Sequence, residues 1–223
     1  MRAYLLPLAS QMLKHADVKT AIASKAYLRN QFEHYGLKAV LRKDICRTFM
    51  KENKLTYQQL APVVRECWQL PQREWQYFAV ELMASMKKEW DEKIISLIEY
   101  LIIQKSWWDS VDHIASELTG PYFNIFPNQI RKVTAEWNKS DNIWLQRSSI
   151  MFQKSYRHQT NSALLSRYVL RLAGSDEFFV QKAIGWALRE YSKSNPVWVS
   201  AFVSKNLQLP SLSRREALKR LNK

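Results

Sequence analysis

Apolar residues recur every three or four positions along almost the whole chain, a spacing that only the α-helix satisfies. It predicts helices over 23–32, 57–70, 73–88, 91–104, 129–138, 143–156, 162–173, 178–191 and 197–206. The breaks fall at Gly36, Pro71, Gly120-Pro121, Ser140-Asp141, Gly174-Ser175-Asp176, Asn195-Pro196 and Pro210. Ser140-Asp141 and Ser175-Asp176 read as helix N-caps, where a side-chain oxygen takes an unpaired backbone N–H. Only four glycines occur in 223 residues, too few for a strand-and-turn architecture. The start, through Tyr4, Leu5, Leu6 and Leu8 into Gln11, Lys14 and His15, is too short an apolar run for a secretory signal and reads as a first amphipathic helix. The fold class is all-α.

The two cap sites lie 35 residues apart, as do Gln146 and Gln181, and Gln76 stands 70 residues before Gln146. The column one residue on is Arg42, Tyr77, Asp112, Arg147, Lys182 and Ala217. A period of this length is the mark of a helical solenoid, whose units cannot bury their apolar faces alone and stack to do so. The expectation is an α-α superhelix of about six two-helix repeats, one domain over residues 1–223.

A formal charge of +14 and a pI near 9.8 call for a polyanion, with nucleic acid the first candidate and an acidic membrane surface the second. The cations are spread along the chain with no block of five or six, so this is no disordered basic tail. No stretch of ~18 apolar residues exists, so no membrane span is expected. Cys46 and Cys67 stand alone, which fits buried thiols in a reducing cytoplasm. His15, His34, His113 and His158 are scattered, and no metal, Walker or nucleophile-elbow motif occurs, so no metal and no cofactor are expected.

One segment stands out: Lys105-Ser106-Trp107-Trp108-Asp109-Ser110-Val111-Asp112-His113. On a helix Trp108 and Asp112 share a face, while Trp107 points about 100° away, towards the core. Trp186 follows Lys182 by one turn, so both tryptophans lie on the face that carries the 35-residue column. Asp112 is a lone acid where a pure polyanion binder would avoid one, although an ion pair with Arg147 would also account for it. Trp68, Trp75, Trp90, Trp137, Trp144 and Trp198 read as core.

At these residues the chain resembles the AlkD-type DNA alkylation-repair glycosylases, which are built from HEAT-like repeats. The resemblance rests on Lys105 to Asp112, Ser140-Asp-Asn-Ile-Trp-Leu-Gln-Arg147, Phe178 to Lys193, and Leu212-Ser-Arg-Arg-Glu-Ala217. It implies hydrolysis of the N-glycosidic bond of cationic alkylpurines, 7-methylguanine and 3-methyladenine, in double-stranded DNA. It makes Asp112 the catalytic carboxylate, Trp108 and Trp186 aromatic walls, Arg147 a phosphate-side contact and Tyr27 a DNA-facing residue. Two positions depart from the family: Ser155, with Lys154 adjacent, stands where a lysine contact can occur, and Lys38 stands where a glutamine can follow Gly36-Leu37. To Arg147 and Tyr27, and to Lys154 and Lys38 at the two departures, the column of cations adds Arg42 and Lys182, the helix of Trp186 adds Arg189 and the basic tail adds Arg214 as expected DNA contacts, made by a monomer.

The chemistry is consistent with one acid. A base that already carries positive charge leaves without protonation, and a carboxylate then stabilises the oxocarbenium-like sugar and orients water. Two other readings use the same face: a non-catalytic helical-repeat module that binds nucleic acid, and a protein-interaction solenoid.

Overall fold

The structure, a computed structural model, describes residues 3–221 and is helical throughout; the only strand-like pairing among the described residues is an isolated bridge between Glu33 and Gln72. Two compact units divide the chain between Trp90 and Asp91. The first holds α1 (Leu6–Lys14), α2 (Val18–Tyr27), α3 (Ala39–Glu52), α4 (Tyr57–Gln69) and α5 (Arg73–Ser85). The second holds α6 (Ile94–Ile103), α7 (Trp108–Ile114), α8 (Gly120–Ile125), α9 (Ile130–Lys139), α10 (Ile143–Met151), α11 (Ser162–Arg171), α12 (Phe178–Tyr191), α13 (Pro196–Lys205) and α14 (Ser211–Leu218). None of these helices is long and apolar enough to cross a membrane.

Helices pack on near neighbours along the chain, α3 on α5 and α4 on α5 in the first unit, α7, α10, α12 and α14 in succession in the second. That is the connectivity of a helical-repeat array. Trp68, Trp75 and Phe78 fill the first core, and Trp137, Tyr122, Phe123 and Phe152 the second. Each such ring contributes about 2–3 kcal/mol on burial, so a handful per unit offsets much of the ordering entropy. Trp198, expected in the core, is only half-buried: it stacks on Phe202 with centroids 4.9 Å apart and meets Tyr191 edge-on.

The 35-residue spacing has a physical basis. Gln76 donates its side-chain amide to the Leu70 carbonyl (3.0 Å), Gln146 to Ser140 (2.7 Å) and Gln181 to Ser175 (2.9 Å). In each case a glutamine in the first turn or so of a helix ties down the carbonyl six residues back, in the turn leading into that helix. The neighbouring column forms contacts between successive members: Arg42 lies over the Tyr77 ring (5.0 Å), and Asp112 pairs with Arg147.

Four local expectations are corrected. The N-cap of α10 is Asn142, whose Oδ1 accepts from the Trp144 and Leu145 N–H groups, and that of α12 is Glu177. Ser140 and Ser175 instead accept the N–H groups of Asn142 and Glu177, two residues on, tightening the turn before the cap. The second helix runs over Val18–Tyr27 and not 23–32: Asp17 caps it by accepting from Thr20 N–H (2.7 Å), and Arg29 and Asn30 end it in the left-handed region. Gly120-Pro121 does not separate helices. Proline brings no N–H and its ring would strike the Glu117 carbonyl in a regular α-helix; the backbone widens into a π turn over Ala115–Thr119 and continues into α8.

Candidate functional site

Asp112 sits in the last turn of α7, a helix that begins at Trp108 because Lys105, held at φ 47°, turns the chain sharply just ahead of it. Its carboxylate is clasped by α10: Arg147 Nε donates to Oδ1 and Nη2 to Oδ2, both at 2.8 Å. The third edge of that guanidinium donates through Nη1 to the Phe179 carbonyl of α12 at 2.6 Å. The Arg147 side chain is 1% exposed and Asp112 14%. The side-on pair uses about two of the carboxylate's four acceptor directions, and the side chain is not fully enclosed. Joined to this pair through Phe179, the rings of Trp107, Trp144 and Phe179 pack with centroids 5.0–5.9 Å apart, an aromatic floor. Trp107, packed against Trp144 and Phe179, and Trp108, one turn before Asp112, are both half-buried.

The second half of the site is Trp186 on α12. Arg147, Lys182 and Arg189 lie 5.4, 5.4 and 5.6 Å from its ring centroid, all within cation–π range. A residue that the sequence reading did not single out completes the arrangement. Glu216 of α14 accepts from Lys182 Nζ (2.8 Å), Arg189 Nη1 (2.8 Å) and the Trp186 indole N–H (3.2 Å). Those donors hold its carboxyl below the ordinary carboxylate range, the Lys182 hydrogen bond foremost, against the opposing pull of burial. The sequence signal was faint: Glu216 falls 34 residues after Lys182, next to the column member Ala217.

Two of the expected DNA contacts are not available in the form expected. Arg147 is sealed under Asp112 and Phe179, with all three nitrogens engaged. Arg42 is also buried, its two terminal nitrogens bound to the Glu81 carboxylate at 3.0 and 2.9 Å. With the Arg147 side chain 1% and the Arg42 side chain 6% exposed, neither guanidinium reaches the surface where a phosphate would lie, so each holds an acid in place. Lys182, Arg189, Lys154 and Arg214 are half-buried in the second unit. In the first unit, Tyr27 is 71% exposed at the end of α2, and exposed Lys38 caps α3. Lys38 follows a tightly built turn: buried Glu74 accepts from the N–H groups of Tyr35 (3.1 Å), Gly36 (3.0 Å) and Leu37 (3.3 Å). No cluster of three or more metal-ligating side chains occurs among the described residues.

A helical-repeat chain that presents a clamped carboxylate beside a cation-ringed indole is equipped to meet a polyanion and a developing positive charge together. The sequence matches the family described as DNA alkylation repair enzyme over residues 8–221, and the chain belongs to that family. A predicted DNA alkylation repair enzyme from Enterococcus faecalis is 31% identical with a TM-score of 0.86, covering 94% of this chain and 98% of its own. The crystal structure of smu.31 from Streptococcus mutans UA159 shares the fold at 20% identity and a TM-score of 0.62, over 82% of this chain and 96% of that one. No curated protein matches.

Proposed function

We propose that this DNA alkylation repair enzyme is a glycosylase that hydrolyses the N-glycosidic bond of positively charged alkylpurines, such as 7-methylguanine and 3-methyladenine, in duplex DNA. The observation that carries this reading is the Asp112 carboxylate, fixed in plane by a buried guanidinium while its side chain keeps 14% exposure. In the bond-breaking step the electron pair goes to the ring nitrogen, which turns the cationic base neutral, so no general acid is required. The sugar is left oxocarbenium-like; Asp112 stabilises it and orients water onto the anomeric carbon. The faces of Trp108 and Trp186 favour the same cationic species, by ~0.5–2 kcal/mol per contact. Lys182, Arg189, Lys154, Arg214, Lys38 and Tyr27 grip the backbone, with salt-dependent affinity. Arg147 positions Asp112.

The test is incubation with a duplex carrying one 7-methylguanine, followed by alkaline cleavage of abasic sites, for wild type, Asp112→Asn and Trp108→Ala. Wild type is expected to cleave and both variants to lose most activity while still binding. A wild type no faster than the buffer blank, or one equally fast on uracil, refutes the reading.

A further inference from the structure

Glu216 has no part in the chemistry just described, yet it is the most elaborately placed acid of the second unit. Its three donors, Lys182, Trp186 and Arg189, sit at i, i+4 and i+7 on one stripe of α12 and converge on a single carboxylate of another helix. The approach of that helix is itself built in. A Cβ at Gly185 would lie 2.5 Å from the Glu216 Cβ and 2.9 Å from the Ser213 carbonyl oxygen, so only glycine lets α14 come this close. Buried Ser213 then donates its hydroxyl to the Gln181 carbonyl at 2.8 Å, which locks α14 along α12.

We propose that Glu216 is the positioning residue for Trp186, fixing the indole edge and cancelling part of the positive charge gathered round its ring. Two demands make such a residue necessary. An indole on a half-buried helix face has alternative rotamers, and its N–H is the one hydrogen-bonding group by which a neighbour can select among them. Lys182 and Arg189 also stand as close to the ring as an arriving cationic sugar would, and without a counter-charge they repel it. A carboxylate bridging both cations and the N–H answers both needs.

This inference rests on the glycosylase reading for its kinetic readout, and a second readout is independent of it. Single-turnover excision of 7-methylguanine is measured for wild type, Glu216→Gln, Glu216→Asp, Trp186→Phe and the Trp186→Phe/Glu216→Gln double variant. Glu216→Gln keeps the size and loses the charge; it is expected to slow excision by about ten- to a hundredfold, the scale of one charge-assisted hydrogen bond. Glu216→Asp is expected to restore part of the rate. In the Trp186→Phe background, which has no N–H to hold, the Glu216→Gln step is expected to shrink to about threefold or less, the non-additivity of residues that act together. Equal effects in both backgrounds, or a Glu216→Gln enzyme at full speed, overturn the inference and leave the glycosylase reading intact. Should wild type not excise at all, that reading fails and Glu216 is judged on the indole N–H resonance assigned by Trp186→Phe: it is expected to shift in Glu216→Gln, and an unmoved resonance overturns the assignment.

Discussion

Replacing Gly185 by alanine puts the packing of α14 to a direct test. Elsewhere in an exposed helix the change would stabilise by about 1 kcal/mol, because alanine loses less backbone entropy. Here the new methyl group would lie 2.5 Å from the Glu216 Cβ and 2.9 Å from the Ser213 carbonyl oxygen. Carbon atoms rest about 3.5–4.0 Å apart, so α14 must retreat by roughly 1 Å. Such overpacking costs about 1–3 kcal/mol. After subtracting the propensity gain, the expected net loss is about 1 kcal/mol. The retreat also stretches the 3.2 Å indole contact beyond hydrogen-bond range, so excision is expected to fall with stability. Urea unfolding of wild type, Gly185→Ala and the control Gly174→Ala provides the measurement, read as midpoints at constant slope. Nothing lies within 4 Å of a Cβ at Gly174, so that variant should gain roughly 0.5 kcal/mol. A Gly185→Ala protein as stable as wild type would refute the close approach of the two helices.

Three other outcomes are expected. Asp112→Asn should lose about 3 kcal/mol of stability besides its activity, because Arg147 keeps its buried charge and loses its counter-ion; an unchanged urea midpoint would show that the pair is not closed in solution. Gly36→Ala should be more damaging still, at about 3–5 kcal/mol: φ is +86°, and the Cβ would fall 2.1 Å from the Asp17 carbonyl oxygen, straining both backbone and contact. The stability advantage of wild type over Glu216→Gln should depend on pH. A carboxyl held below its ordinary value of 4.5 contributes fully above that value, and the contribution is lost as pH falls through the folded pKa. The gap between the two denaturation midpoints should therefore be flat above about pH 5 and close under acid; a gap that widens under acid would reverse the assigned sign.

Helices with a buried stripe were legible because burial writes its period into the sequence: the stretch from Phe178 to Tyr191 has the predicted bounds of α12. By contrast α2 buries no residue, so its apolar spacing carried no information and its start was misjudged. The caps were ambiguous for a different reason. In Ser140-Asp141-Asn142 all three side chains cap well, and only the phase of the incoming chain selects Asn142. At the site, the shared face of Trp108 and Asp112 could be read from one segment. The 35-residue column also offered Arg147 as an ion-pair partner for Asp112, but the fate of Arg42 was hidden, since it is set by Glu81, 39 residues away in sequence. Glu216 was hidden in the same way: three of its partners lie on one helix, but the glycine that admits it reads, by itself, only as a weak spot in α12.

The widened turn at Ala115–Thr119 has a consequence for how this protein tolerates change. One surplus residue in a helix rotates everything downstream by about a quarter of a circle. The rods on either side are thus free to present unrelated faces, α7 offering Asp112 outward while α8 drives Tyr122 and Phe123 inward. Deleting a single residue from that loosened coil would straighten it and swing those two rings towards water. The helix that bears Asp112 and the helix that fills the core are here joined by a swivel one amino acid wide.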